Sequence, residues 1–266
     1  MAIDSIVFPG QGAQRLGMGQ DFKEHYPAAA AAFAEARAAL PFDPDEISQT
    51  DEAKLNQTAY TQPCIVATEI AMLRVLETRP DFRPTVFAGH SLGEYSALVA
   101  AKVIPFEVAL KIVHQRGTLM QTAVPPGMGT MAAVLYDAIP QAEFKAIAEQ
   151  YHVDLANDNS ANQVVLSGKI EDVKATAAAL EAAFQPIRIV YLEVSAPFHS
   201  RYMQPIEAPF REYLESFKSD FSPANLPRVV SNYTGTFYKP SVEALIDGLT
   251  KQLSVNCFCV ALGSSP

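Results

Sequence analysis

The 266-residue sequence has few cysteines, no tryptophan, no block of basic residues and no long apolar run. Its three cysteines, Cys64, Cys257 and Cys259, form an odd set without the paired spacing of a zinc site, so neither a disulfide framework nor a metal centre is expected. The longest apolar stretches, Ala28 to Ala34 and Ala97 to Ala101, fall well short of the roughly 20 residues that span a bilayer. Met1 to Gly10 has neither the basic start nor the apolar core of a secretory signal and reads directly as a strand. The mature chain is therefore expected to begin here and to work in the cytoplasm. Lys and Arg number 20 against 29 Asp and Glu, a net charge of −9, and without clustered cations a nucleic-acid partner is not expected.

What the sequence does have is alternation. Strand one, Ile3 to Phe8, runs into a glycine-rich loop from Pro9 to Gly19, and an alanine-rich helix follows from Tyr26 to Leu40. Thr61 and Pro63 then open a helix that runs to Thr78. A second strand, Thr85 to Ala88, leads into Gly89-His90-Ser91-Leu92-Gly93, a helix over Glu94 to Lys102, and another from Pro105 to Ala123. Past the break at Pro125-Pro126-Gly127 the pattern becomes strand 130–135, helix 138–150, strands 153–156 and 163–167, helix 170–183 and strand 187–193. That βαββαβ order is the ferredoxin-like arrangement, a lobe in its own right. The reading is an α/β protein with a mostly parallel sheet: a discontinuous large domain, 1–126 and 196–266, carrying an inserted small domain, 127–195. A helix at 200–218, a strand at 228–232 and a helix at 241–253 return to the large domain.

Gly89-x-Ser91-x-Gly93 between a strand and a helix has the context of a nucleophile elbow. Glycines two before and two after the serine remove side chains that would collide at so sharp a turn, and the following helix aims its N–H groups at a developing oxyanion. The same residues could be an ordinary Gly-Ser turn. A serine nucleophile needs a base. His25 and His152 lie on polar stretches, His114 lies within a helix, and His90 adjoins Ser91 and should point away from it. His199, in the loop Ser195-Ala196-Pro197-Phe198-His199-Ser200, is the remaining candidate, and a backbone carbonyl could orient it. Arg116 shares one helix face with Val108, Ile112 and Met120. A cation on an apolar stripe needs an anion, either a protein carboxylate or that of a substrate. The first loop fits neither nucleotide pattern: Met18 and Gly19 stand where a P-loop has Lys and Ser/Thr, and Arg15 stands where Gly-x-Gly-x-x-Gly has its last glycine.

Taken together, Phe8-Pro9-Gly10-Gln11-Gly12-Ala13-Gln14, Gly89-His90-Ser91-Leu92-Gly93-Glu94-Tyr95, Gln115-Arg116-Gly117, Pro197-Phe198-His199-Ser200 and Ser231-Asn232-Tyr233-Thr234-Gly235 resemble malonyl-CoA:acyl-carrier-protein transacylases. They are similar as well to the acyltransferase domains of polyketide synthases. The resemblance runs from residue 3 to about 253. It implies an α/β-hydrolase-like large domain and transfer of malonyl from malonyl-CoA to the phosphopantetheine thiol of acyl carrier protein in fatty acid synthesis. No separate cofactor is implied, since the CoA thioester is a substrate and the partner carries the phosphopantetheine. By motif, Ser91 is the acylated nucleophile, His199 the base and acid, and Arg116 the clamp on the malonyl carboxylate. The N–H groups of Gln11 and Leu92 make the oxyanion hole, Gln252 orients the histidine through its backbone carbonyl, and Phe198 marks a malonyl rather than a methylmalonyl pattern.

Rival readings are a discrete polyketide-type acyltransferase, a serine hydrolase, and a non-catalytic module that binds acyl-CoA or carrier protein. A monomer is expected, with no membrane partner. Two positions depart from the family pattern. Asn162 replaces a common glycine, and after Leu253, where family members continue for several tens of residues with a Val-x-Trp segment, this chain reads Ser254-Val255-Asn256-Cys257-Phe258-Cys259-Val260 and stops at Pro266. The tail reads as a truncation or frame change, with a cost in stability and solubility expected from its apolar residues.

Overall fold

The computed structural model describes residues 5–194 and 196–258. Ile3 of the first strand, Ser195 of the histidine loop and the tail from Cys259 to Pro266 lie outside the described residues. The described elements are β1 (Ser5–Phe8), α1 (Gln20–His25), α2 (Pro27–Ala39), α3 (Pro44–Thr50), α4 (Glu52–Leu55), α5 (Thr58–Glu77), β2 (Val86–Gly89), α6 (Gly93–Ala100) and α7 (Phe106–Thr122). They continue with β3 (Gly129–Leu135), α8 (Gln141–Gln150), β4 (Asp154–Ser160), β5 (Gln163–Lys169), α9 (Ile170–Ala183), β6 (Arg188–Tyr191), α10 (Glu207–Glu215), α11 (Val242–Lys251) and β7 (Cys257–Phe258). Among the described residues no helix is long and apolar enough to cross a membrane.

The chain divides into two compact units. The first comprises residues 1–119, 210–231 and 236–247. Its sheet is a parallel pair, β1 beside β2 from Ser5 opposite Val86 to Phe8 opposite Gly89, and Val229 adds a parallel bridge to Phe87. The expected strand at 228–232 is thus reduced to bridges at Val229 and Val230, just after Pro227, which has no N–H to give a ladder.

Helix α5 begins at Thr58, ahead of the expected opening at Thr61, and holds Pro63 inside it. A proline there leaves the carbonyl four residues back without its helical donor. That carbonyl, on Ala59, accepts instead from His114 Nδ1 of α7 at 3.0 Å. Gly117 of α7 makes the approach possible, since a Cβ there would sit 2.5 Å from the Thr58 carbonyl oxygen. The expected helix at 200–218 is likewise divided: a 3-10 turn over Arg201–Ile206 contains Pro205, and α10 follows.

The second unit, residues 120–209, 232–235 and 248–266, takes in the 127–195 stretch and adds the histidine loop and the end of α11. Its five-stranded sheet runs β6-β3-β5-β4-β7. The pairings of β6 with β3, β3 with β5 and β5 with β4 are antiparallel, while β7 joins β4 in parallel, Cys257 opposite Asn157. Helices α8 and α9 supply Phe144, Ala148, Val173 and Leu180 to a core with Ala132, Val134, Val164 and Leu166. Alternate residues of β3 and β5 reach that core because side chains on a strand point to opposite faces in turn.

Candidate active site

Ser91 stands at the turn from β2 into α6 with φ +49°, a left-handed conformation that a residue with a side chain rarely adopts. The flanking glycines make the turn possible. A Cβ on Gly89 would fall 1.9 Å from the carbonyl carbon of Gly93, and one on Gly93 would fall 2.3 Å from the carbonyl oxygen of Phe8. The loop after β1 therefore lies directly on the elbow, and the His90 N–H donates to Phe8 O at 2.9 Å. Gly10 is equally constrained, since a Cβ there would fall 2.5 Å from His90 O. This contact sets the backbone of Gln11 beside the turn. Among the described residues the N–H groups of Gln11 and Leu92 meet no protein acceptor, while the Gln11 side chain donates to Thr58 Oγ1 at 3.2 Å.

Arg116, 1% exposed, donates from Nη2 to Ser91 Oγ at 3.1 Å. Its guanidinium also lies over the Tyr95 ring, 5.5 Å from the centroid. Val108, Ile112 and Met120, its companions on the helix face, are buried. Burial strengthens the attraction between this cation and any anion that reaches it, because little water screens the pair. Donation by arginine also fixes the serine oxygen as acceptor, so the hydroxyl hydrogen points elsewhere.

In the second unit His199 is 4% exposed and has φ +54°. The loop that carries it is tied at several points. Ser167 Oγ donates to Phe198 O at 2.7 Å, Ser200 Oγ donates to Pro197 O at 2.5 Å, and Gly129 leaves room for Pro197, whose Cδ would sit 2.3 Å from a Cβ at that position. His199 Nδ1 lies 2.7 Å from the backbone oxygen of Gln252. A carbonyl can only accept, so Nδ1 carries the hydrogen, and in the neutral ring the lone pair is on Nε2. That is the tautomer a general base uses. His199 also lines a cleft of about 610 Å³ with Lys145, Asp154, Arg201, Asn256 and Phe258. Arg201 is held there by Asp154, Nη2 to Oδ1 at 2.6 Å.

The structure thus brings Ser91 and Arg116 together in one unit and His199 and Gln252 together in the other. Two contacts are not anticipated by the sequence patterns. Tyr95 lies four residues after Ser91, one helical turn along, and that spacing is the available signal for its place near Arg116. Cys257, whose sulfur lies 3.3 Å from His199 Nδ1, belongs to a tail in which no pattern points to the histidine. Cys64, by contrast, is buried away from this chemistry, its thiol pushed up to about 12 by burial. Among the described residues no group of three or more His, Cys, Asp or Glu is placed to hold a metal ion.

The acyl transferase domain model matches residues 6–256. Over 252 residues the chain is 40% identical to malonyl CoA-acyl carrier protein transacylase of Escherichia coli K12, covering 94% of this chain and 80% of that protein. The crystal structure of FabD from Acinetobacter baumannii superposes with a TM-score of 0.90 at 36% identity, covering 97% of this chain and 81% of that one. A malonyl-transacylase solved in complex with its type II polyketide acyl-carrier protein gives a TM-score of 0.89, also at 36% identity, covering 96% and 82%. With a buried arginine on the serine of a strained elbow and this extent of likeness, the chain belongs to the malonyl-CoA:acyl-carrier-protein transacylase family.

Proposed function

We infer that this protein is an acyltransferase that moves malonyl from malonyl-CoA to the phosphopantetheine thiol of acyl carrier protein in fatty acid synthesis. The observation that carries the reading is the Arg116 guanidinium 3.1 Å from Ser91 Oγ in a buried setting. An acyl group ending in a carboxylate, once esterified to Ser91, carries its charge within reach of that cation, and the planar fork can hold both carboxylate oxygens.

The chemistry proceeds in two halves. His199 accepts the Ser91 proton at Nε2 as Oγ attacks the thioester carbonyl, and the Gln11 and Leu92 N–H groups donate to the oxyanion of the tetrahedral intermediate. The intermediate collapses with loss of CoA thiol, which takes the proton back from His199, leaving malonyl-Ser91. The carrier thiol then gives its proton to His199 and attacks the ester, and the intermediate collapses with loss of Ser91 Oγ, which takes the proton back from His199. Gln252 orients the base, and Phe198 beside it restricts bulk at the malonyl methylene. We also take residues 127–195 as a ferredoxin-like small domain inserted into an α/β-hydrolase-like large domain, 1–126 and 196–266; the antiparallel order β6-β3-β5-β4 supports this.

The test is transfer of labelled malonyl to phosphopantetheinylated carrier protein, with the apo carrier as control. Label on the phosphopantetheinylated carrier alone is expected. Free malonate at the same rate with or without carrier would make the protein a hydrolase.

A further inference from the structure

The backbone of β7 is tied on two sides: Cys257 and Phe258 pair with Asn157 and Asp158 of β4, and the Phe258 N–H donates to Asn232 O at 2.8 Å. This fixes the Cys257 sulfur, which is fully buried, at 3.3 Å from His199 Nδ1, 3.8 Å from Nε2 and 3.9 Å from Gln252 O. The two nitrogens of an imidazole direct their hydrogen or lone pair away from each other across the ring. A sulfur close to both lies on neither axis, so it touches the ring itself, while the Nδ1 hydrogen is taken by Gln252 at 2.7 Å. Polarizable sulfur against an aromatic ring is a favourable contact. A tilt about the line from Nδ1 to the carbonyl oxygen would drive the ring face into that sulfur. The sulfur blocks that tilt.

We propose that Cys257 is a positioning residue for His199, holding the imidazole by contact so that Nδ1–H stays on the Gln252 carbonyl and Nε2 keeps one direction. The proposal rests on reading His199 as the base of malonyl transfer. The thiol's donation to Gln252 O at 3.9 Å is too long to add much, so the role depends on volume: valine can replace the cysteine, whereas the smaller serine cannot.

Cys257→Ala, Cys257→Val and Cys257→Ser are compared with the native protein by steady-state transfer, thermal melting and nitrogen chemical shifts of ¹⁵N-histidine. Cys257→Ala should lower kcat about tenfold with KM for malonyl-CoA unchanged, as a loosened ring spends less time in the reactive geometry. Its His199 nitrogen shifts should move from a single Nδ1–H tautomer toward a mixture. Cys257→Val should recover both readouts and Cys257→Ser neither. Native kcat and a single tautomer in Cys257→Ala would overturn the proposal, as would rescue by serine and not by valine. A lower melting temperature with unchanged nitrogen shifts would make the residue merely structural and would also overturn it. The shifts judge the ring without turnover, so a native protein that transfers no malonyl would refute the acyltransferase reading and leave this test standing.

Discussion

Arg116 makes the sharpest claim at the scale of single residues. A buried guanidinium donating to a serine oxygen has two possible duties, holding the elbow together or waiting for a carboxylate, and the two separate by substrate. Arg116→Ala should cost malonyl transfer roughly 2–5 kcal/mol, the range for stranding one partner of a buried charge pair. Acetyl-CoA has no carboxylate to strand, so the same change should leave its use intact or improve it. Equal losses in kcat/KM for both substrates would make the arginine structural. His199→Ala should slow both half-reactions on the order of a hundredfold or more, the usual worth of a positioned base. Near-native single-turnover rates in that variant would remove His199 from the mechanism. The sequence singled out both positions, Arg116 from its place on an apolar helix face and His199 from its loop and family motif, and the structure sets the first against Ser91 Oγ and the second against the Gln252 carbonyl. The Cys257 contact was not legible in the sequence, because it depends on a two-residue strand pairing with β4 across a long sequence separation.

At the scale of elements, the elbow depends on backbone passing close to backbone. Gly93→Ala would place a methyl 2.3 Å from Phe8 O and 2.4 Å from Pro9 O. Neither neighbour is a flexible side chain, so the loop after β1 must move, at roughly 1–3 kcal/mol or more. Acylation of Ser91 should fall with it; a variant with native melting temperature and acylation rate would contradict this account of the turn.

Helices α5 and α6 carry a second element-level consequence. Ser96 donates to Glu69 Oε2 at 2.5 Å, and burial pushes the Glu69 carboxyl from 4.5 up to about 8. The folded chain therefore keeps a proton that the unfolded chain gives up near pH 4.5, so this group makes stability fall as pH rises from about 4.5 to 8 and level off above. Glu69→Gln keeps an acceptor for Ser96 without the charge. Its melting temperature should decline less between pH 5 and 8 than that of the native protein; parallel curves would show that Glu69 ionises in the folded state as readily as in the unfolded chain. The βαββαβ stretch was read to within a few residues because its strands alternate and its helices bury one face. Pro63 and Pro205 misled at the other ends of the chain, since a proline's effect depends on which distant donor, such as His114, takes the freed carbonyl.

At the scale of the whole molecule, the residues of the proposed chemistry are divided between the two units. The first holds Ser91, at the turn after β2, against Arg116 of α7, and the second holds His199 with Nδ1 on the Gln252 carbonyl. The proposed transfer runs through one covalent event, acylation of Ser91 Oγ. Intact-mass analysis after brief mixing with malonyl-CoA tests that event most directly, on the native protein and on Ser91→Ala. One malonyl adduct on the native protein and none on the variant is the predicted result. An adduct that persists in Ser91→Ala, or no adduct on the native protein, would contradict the account.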